Sequence, residues 1–424
     1  MVEIRPFRGI RYNLTKLPQL EEVITPPYDV IDSNGQDRLH KRNPYNIVRL
    51  EYGKKFPSDN ENNNNYTRAE KNLTEWLEQD ILCADKHPAY YLYEQSFTYN
   101  SAEYTRRGIF AALKVEDYTS HAVLPHELTM SAPKADRLKL LGQLKTNISP
   151  IFTLYPDPDN MFDALFSQST PGRLLFKTRK DDEQVHQLRA ITEPRLQEKI
   201  TTYLAGQPLL IADGHHRYET ALAYANSTEP KKGMGSNYIL SALVSMKDRG
   251  LLVLPTHRLV APLTGKQKAE MDKIINASFK YVEYGSTNEI NEDSYLHKLS
   301  AYDSELPCIG MITADKTGFL LPGHQEDGSH LPVVLLHEKI LRPVLAPGEN
   351  HEADKDMLSY PHDMETVMQA VSSGSAETAF ILNTLPVNDV LKRAQQGRVM
   401  PQKSTFFYPK LPGGLVLHHH NLSY

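Results

Sequence analysis

Five consecutive residues, Asp213-Gly214-His215-His216-Arg217, gather more reactive side chains than any neighbouring stretch of the chain. They follow the apolar run "LLIA" (209–212) and precede "YETALAYAN", which reads as a helix. At such a junction the first helical turn offers free backbone N–H groups and the positive end of the helix dipole. Gly214 lets a ligand approach the backbone. Arg217 brings a fork of donors suited to phosphate oxygens, and His215 and His216 can donate hydrogen bonds or move a proton. Together they make an anion cradle, specifically a phosphate cradle. Asp213 is expected at the N-cap, unless its carboxylate holds a metal or a substrate hydroxyl. The competing reading is a plain turn, with one histidine packed beneath the helix and Arg217 paired with Glu219. A zinc site is disfavoured, because adjacent helical histidines do not readily face one ion and no HExxH is present.

Other segments supply candidate partners. "LPHELT" offers His126 and Glu127, and Lys134 and Arg137 follow, one helical turn apart on one face. That pair either binds a carboxylate or phosphate of a small substrate or forms a solvated helix face. "PPYDVI" (26–31) puts Tyr28 and Asp29 on a rigid loop, where Asp29 orients a ligand amine or a magnesium-bound water, or caps the next turn. "QKSTFFYPK" (402–410) lacks the glycines of a P-loop. Lys403 there is either a point charge for phosphate or part of a final strand with Phe406 and Tyr408 on one face. "THR" (256–258) would bring His257 and Arg258 from a strand end, and the "HHH" tract (418–420) is expected to be exposed and incidental. Nucleophilic and dinucleotide chemistries find no support: GxSxG is absent, neither cysteine lies in a His-rich or basic run, and no GxGxxG follows a strand.

The elements that must position these groups are read from periodicity. "NIVRLEYG" (46–53) reads as a strand, 55–66 as a polar loop, and 67–80 as a helix with Leu73, Trp76 and Leu77 on one face. "AYYLYEQSFTYN" and "YTRRGIFAALKVEDY" read as a hairpin, 134–147 as a helix, 148–157 as a strand, and "GRLLFKTRKDDEQVHQLRAIT" as a strand pair. A helix over 193–206 leads into the short buried strand "PLLIADG" and the helix after it; "NYILSALVSMKDRGLLVLPTHRLV" gives two more strands. Helix and coil alternate over 267–305, followed by the strands of "CIGMITADKTGFLLPG", a helix around 332–345 and a final αβ run. The fold class is mixed α/β, in three regions: 1–120, 121–265 with the central motif, and 266–424.

The chain has 424 residues, a formal charge of −5 and two cysteines, Cys83 and Cys308, far apart and outside any CxxC. A disulfide framework is therefore not expected. The slightly acidic balance argues against non-specific nucleic-acid binding. No apolar run approaches the ~20 residues of a membrane span, and "MVEIRPFRGIRYN" has no apolar h-region. A cytoplasmic protein is expected.

"ADGHHRYETAL" (212–222), "PPYDVI", "NPYNIVRLE" (43–51), "PHELTMSAPKADRLKLL" (125–141), "NISPIFTLY" (147–155), "LPTHRLV" (254–260) and "MPQKSTFFYPKLPGGLV" (400–416) resemble the DUF1015 family of uncharacterised bacterial and archaeal proteins, along essentially the whole chain. The run Asp213–Arg217 also resembles the DGHHR motif of free-serine kinases in the ParB/sulfiredoxin-like superfamily. That resemblance implies a ParB/sulfiredoxin-like nucleotide-binding core in which this loop and helix start hold nucleotide phosphates. It also implies an upstream glutamate acting as base toward serine; Glu127 is the candidate, although its spacing to the motif is much longer here. Members of the DUF1015 family tend to be encoded beside enzymes of the phosphorylated serine pathway.

The resulting expectation is a phosphotransfer enzyme interconverting serine and phosphoserine with ADP or ATP and Mg²⁺. Gly214, His215, His216, Arg217 and Lys403 would grip phosphate, and Glu127 or Asp213, with the histidines, would handle the proton. Tyr28, Asp29, His126, Lys134, Arg137, His257 and Arg258 would line the substrate. The alternatives are a nucleotide-independent phosphoserine phosphatase and a ParB-like nucleotide-binding regulator with DNA or protein partners. A small-molecule substrate and a nucleotide are the expected partners, with no membrane, nucleic acid disfavoured and a homo-oligomer left open.

Overall fold

The structure, a computed structural model, describes residues 1–129, 131–166, 171–179, 183–227, 235–287, 290–304, 306–323, 331–346 and 357–422. The chain divides into two compact units: Met1–Leu252 with the stretch from Pro409 onward, and Val253–Tyr408.

The first unit runs β1 (Ile4–Arg5), β2 (Ile10–Tyr12), α1 (Ser33–Arg42), α2 (Val48–Glu51), α3 (Asn65–Glu78), β3 (Leu82–Ala84), β4 (Tyr90–Tyr99), β5 (Ala102–Lys114), β6 (Val123–Leu124), α4 (Ser131–Leu144), β7 (Thr146–Asn147) and β8 (Ile151–Tyr155). It continues with α5 (Met161–Phe166), β9 (Arg173–Arg179), β10 (Val185–Ile191), α6 (Pro194–Ala205), β11 (Leu209–Asp213), α7 (His215–Ser227) and β12 (Tyr238–Ser245). Among the described residues, nine strands form one mixed sheet in the order β6-β11-β8-β12-β5-β4-β10-β9, with β1 also on β5. β8 and β12 are buried along their whole length, as strands covered on both faces must be. One face packs against α5, α6 and α7 through Ile109, Ile151, Leu209, Ile211, Ile200 and Tyr218. α4 lies against α7.

The expected break near residue 120 does not appear, because β5 sits between β4 and β12 and joins both sides of that point into one sheet. The hairpin, the paired strands β9 and β10 and the helix of residues 67–80 form as their patterns require. α3 is closed by a capping box of Asn64 and Thr67 and buries Ala69, Leu73 and Trp76. "NIVRLEYG" is not a strand. Asn46 Oδ1 accepts the Val48 N–H at 3.0 Å, and this local cap starts the short helix α2, overriding the β-preference of Ile47 and Val48. The histidine tract is not exposed either. His418 and His419 pair with Asn147 and Thr146 of β7, leaving His418 1% and His420 4% exposed.

In the second unit, described strands at Phe279–Gly285, Thr317–Pro322, Ile309–Thr313, Thr378–Ile381, Arg258–Val260 and Leu358–Ser359 pair in that order. Tyr295, Leu299, Phe319, Val367 and Ile381 build its core. The strand Phe279–Gly285 lies where helix and coil were expected. The helix expected around 332–345 is present in three pieces, with a π-helical turn at Leu336–Leu341.

Candidate functional site

β11 delivers the central motif. Leu209, Leu210, Ile211 and Ala212 are buried in the sheet, and the chain leaves it at Asp213. Gly214 has φ +92°, and a Cβ there would sit 3.0 Å from Ile151 Cγ2 and 3.1 Å from Arg217 Nε. The position demands glycine on both counts. The Gly214 carbonyl accepts the Tyr218 N–H at 3.0 Å, opening α7. Gly214, not Asp213, therefore stands immediately before the helix. Asp213 is the last residue of the strand, and its carboxylate is held from two sides: Arg217 Nη2 donates at 2.7 Å to one oxygen, and the Lys410 ammonium donates to the other. Arg217 also donates to the Pro150 carbonyl. The Arg217–Glu219 pairing of the alternative reading does not form. Glu219 accepts instead from Lys134 at 2.7 Å and from Thr129 at 2.8 Å.

Two histidines lie back to back beneath the turn. The His215 and His126 rings meet edge-on at 4.7 Å, and the His126 backbone N–H donates to His215 Nε2 at 3.3 Å. Burial, with His126 nearby, lowers the His215 pKa to about 3, so the ring is neutral and Nδ1 carries its proton. His126 Nδ1 lies 2.6 Å from the Ile211 carbonyl, and its Nε2 is 3.4 Å from Glu127 Oε1. Glu127 thus joins the sequence-predicted His126 and His215. His216 is half-buried on α7.

A carboxylate that the sequence reading passed over lies beside Arg217. Glu51, at the end of α2, is 5% exposed, and Ser149 Oγ donates to its Oε2 at 2.7 Å. Burial raises its pKa; Ser149, Arg217 and Arg137 oppose that rise, and Asp29 adds to it. Arg137 donates to the Glu51 carbonyl at 2.7 Å and stacks 4.3 Å over the Tyr28 ring. Arg137 Nε also donates to Asp136 at 3.0 Å. Burial pushes the Asp136 pKa up, but Arg137, Tyr66 and Lys55 bring it down to about 2. Arg217 feels Asp213, Asp29, Glu51 and Tyr28 together. Tyr28, Asp29, Arg137, Asp213 and Arg217 therefore lie together, with Glu51, Ser149 and Lys410 beside them.

A cavity of about 60 Å³ opens among Glu51, Arg137, Ser149, Arg217 and Thr220, with Leu140, Leu141 and Ile239 as apolar wall. Thr220 is 3% exposed, and its hydroxyl has no hydrogen-bond partner. Buried hydroxyls normally have one, so this wall is ready for a polar ligand atom.

His257, Arg258 and Lys403 belong to the second unit. His257 Nδ1 accepts the Leu382 N–H at 3.3 Å, and burial, with Arg258, lowers its pKa to about 4. Arg258 is fully buried and donates to His337 Nε2 at 2.9 Å, to the Lys403 carbonyl at 3.1 Å and to the Thr256 carbonyl. Lys403 is exposed with φ +57°. The signals for the missed residues were present. Glu51 closes "NPYNIVRLE", Ser149 lies in "NISPIFTLY", and Lys410 closes the segment in which Lys403 was preferred.

Among the described residues, no group of three or more His, Cys, Asp or Glu side chains is arranged to hold a metal ion. Likewise, no described helix is long and apolar enough to cross a membrane.

Fold and turn together define a mixed α/β protein whose largest sheet ends in a charged strand–glycine–helix junction. The chain belongs to the family described as "Protein of unknown function (DUF1015)", which it matches over residues 4–339. No curated protein matches the sequence. Among solved structures it is similar to a free serine kinase mutant in complex with ADP (11% identity, TM-score 0.39, covering 70% of this chain and 86% of that one). It is also similar to a conserved hypothetical protein from Pyrococcus furiosus (14%, 0.40, 74% and 97%). A third is SbnI with C-terminal truncation from Staphylococcus aureus (10%, 0.38, 71% and 84%).

Proposed function

We propose that this protein moves a phosphoryl group between a nucleotide and a small hydroxylated metabolite, with serine and phosphoserine as the pair. The observation that carries the reading is Glu51: a buried carboxylate, hydrogen-bonded by Ser149 and facing Arg137 and Arg217, on a cavity beside the Gly214 turn. Phosphoryl transfer needs chiefly positioning and electrostatic stabilisation. The amides of the first turn of α7 and Arg217 supply donors for phosphate oxygens, with Arg217 exchanging its Asp213 contact for the ligand. The neutral His215 leaves the turn free of an added charge that would titrate near pH 7.

Glu51 takes the proton of the substrate hydroxyl as that oxygen bonds to phosphorus, and returns it when the reaction runs toward serine. A raised pKa suits a group that must both accept and give a proton. At about 60 Å³, the cavity has room for about four to six waters, on the basis of roughly 10–15 Å³ each. That suits the hydroxyl-bearing end of an amino acid and not a nucleotide. Glu127, in contact with His126, becomes a positioning residue for the histidine pair. Asp213 keeps the Lys410 ammonium on one oxygen when Arg217 turns to the ligand, so it is a poor ligand for Mg²⁺, and a magnesium ion would arrive on the phosphates of ADP or ATP.

Incubation of the full chain with phosphoserine and Mg²⁺, with and without ADP, tests the reading. Serine and ATP formed together, only when ADP is present, is the expected result. Free phosphate without nucleotide makes the protein a phosphatase. Tight nucleotide binding with no turnover makes it a regulator.

A further inference from the structure

Separate from the turn, α1, α2, the loop after α2 and α3 border a second, open pocket of about 300 Å³. Its walls carry His40 and Lys41 of α1, Arg49 of α2, Lys54 and Phe56 of the following loop, and Arg68 of α3. Gly53, Asn65 and Asn72 complete the lining, so five of its nine residues are basic. Two of the cations are already matched: Lys54 pairs with Asp37, and Arg68 meets Asp59 at 2.7 Å. Among the described residues, no carboxylate pairs with Lys41 or Arg49. Arg49 Nη2 donates to the His40 carbonyl at 2.8 Å, which fixes the guanidinium against α1. Its Nε and the His40 Nε2 are both buried without a hydrogen-bond partner. A buried polar atom left unpaired costs about 1–3 kcal/mol, more when charged, and a ligand that reached these two atoms would recover that cost.

We infer that this cavity is a second anion site and binds a small molecule that carries a phosphate group. Two unmatched cations suit a phosphate dianion, with Arg49 offering directed donors and Lys41 a point charge. The His40 ring adds a third group able to donate once protonated. Burial, with Arg49 and Lys54 close by, now holds its pKa down to about 4. A bound dianion supplies the counter-charge that lets this ring protonate. The volume stands at the lower end of the ~300–1,000 Å³ common for small-molecule sites, about five times that beside Glu51. The site does not depend on the phosphotransfer reading.

Inorganic phosphate titrated calorimetrically into the full chain is the direct probe, with Arg217→Ala included so that the turn cannot supply the signal. Phosphate binding that survives Arg217→Ala, and weakens at least tenfold in Arg49→Gln and several-fold in Lys41→Gln, is the expected result. Lys41 is exposed, so its variant stays folded and decides the matter if Arg49→Gln does not. Binding that disappears in Arg217→Ala, or that is unchanged in Lys41→Gln, overturns the proposal, as does wild-type protein that binds no phosphate.

Discussion

Each unit of this protein holds an arginine directly after a histidine, Arg258 fully buried and Arg217 half-buried, and the two are used differently. Arg258 is fully buried and gives its donors to backbone carbonyls and to His337. Those acceptors are part of the chain and cannot leave, so the guanidinium works as a cross-link. Arg217 shares Asp213 with Lys410, lies within the field of Glu51 and Asp29, and lines an open cavity. It donates to the Pro150 carbonyl as well, but its charged partner, the Asp213 carboxylate, is a side chain that can trade it for an anion. A His-Arg pair in a sequence does not distinguish these cases; the identity of the acceptors does.

Substitution at the two arginines probes this contrast most strongly. Arg258→Met strands several buried carbonyls and should destabilise the second unit by about 3–5 kcal/mol, the size of removing one partner from a buried charged network, seen as a lowered calorimetric transition. Arg217→Met should leave the protein folded and abolish phosphoserine binding. Equal loss of folding in both would make Arg217 a cross-link too.

Acid should act on both units through histidine. An unfolded histidine protonates near pH 6.5, whereas folded His215 stays neutral down to about pH 3 and His257 down to about pH 4. Below pH 6.5 the unfolded state therefore binds more protons, and stability falls as pH falls. Each ring should account for about 2 kcal/mol of that loss by pH 5. Replacing either histidine by Gln should flatten the decline of Tm between pH 6.5 and 5; an unchanged slope contradicts the neutral-ring assignment.

The smallest contrast lies in two glycines. Gly214→Ala forces a side chain to φ +92° against Ile151 and Arg217 and should cost about 1–3 kcal/mol. Gly265→Ala, where nothing lies within 4 Å of the added Cβ, should be neutral or stabilising by up to about 1 kcal/mol. Chemical denaturation of the two variants compares them directly.

Elements with strong local patterns were legible in the sequence: the hairpin of β4 and β5, the body of α3 though not its cap at Asn64, and the strand-to-helix turn at Gly214. α2 was not, because the Asn46 side chain, an element of local chemistry, outweighed two β-branched residues. The burial of His418 and His420 depends on a strand partner, β7, far away in the chain, and no local pattern announces it. The same limit applied to the site. Asp213, Arg217 and Arg137 stood out by type and spacing, while Glu51 and Lys410 acquire meaning only when the fold carries them to Arg217.

The central claim is that Glu51, on its cavity beside the Gly214 turn, handles the proton in phosphoryl transfer. The most direct test is turnover of phosphoserine with ADP by Glu51→Gln beside Glu127→Gln, each checked for an unchanged melting temperature. A ~10²–10⁴-fold fall in kcat for Glu51→Gln, the usual share of acid–base catalysis, with a much smaller fall for Glu127→Gln, is the predicted result. Wild-type turnover by folded Glu51→Gln, with activity lost in Glu127→Gln, would contradict it.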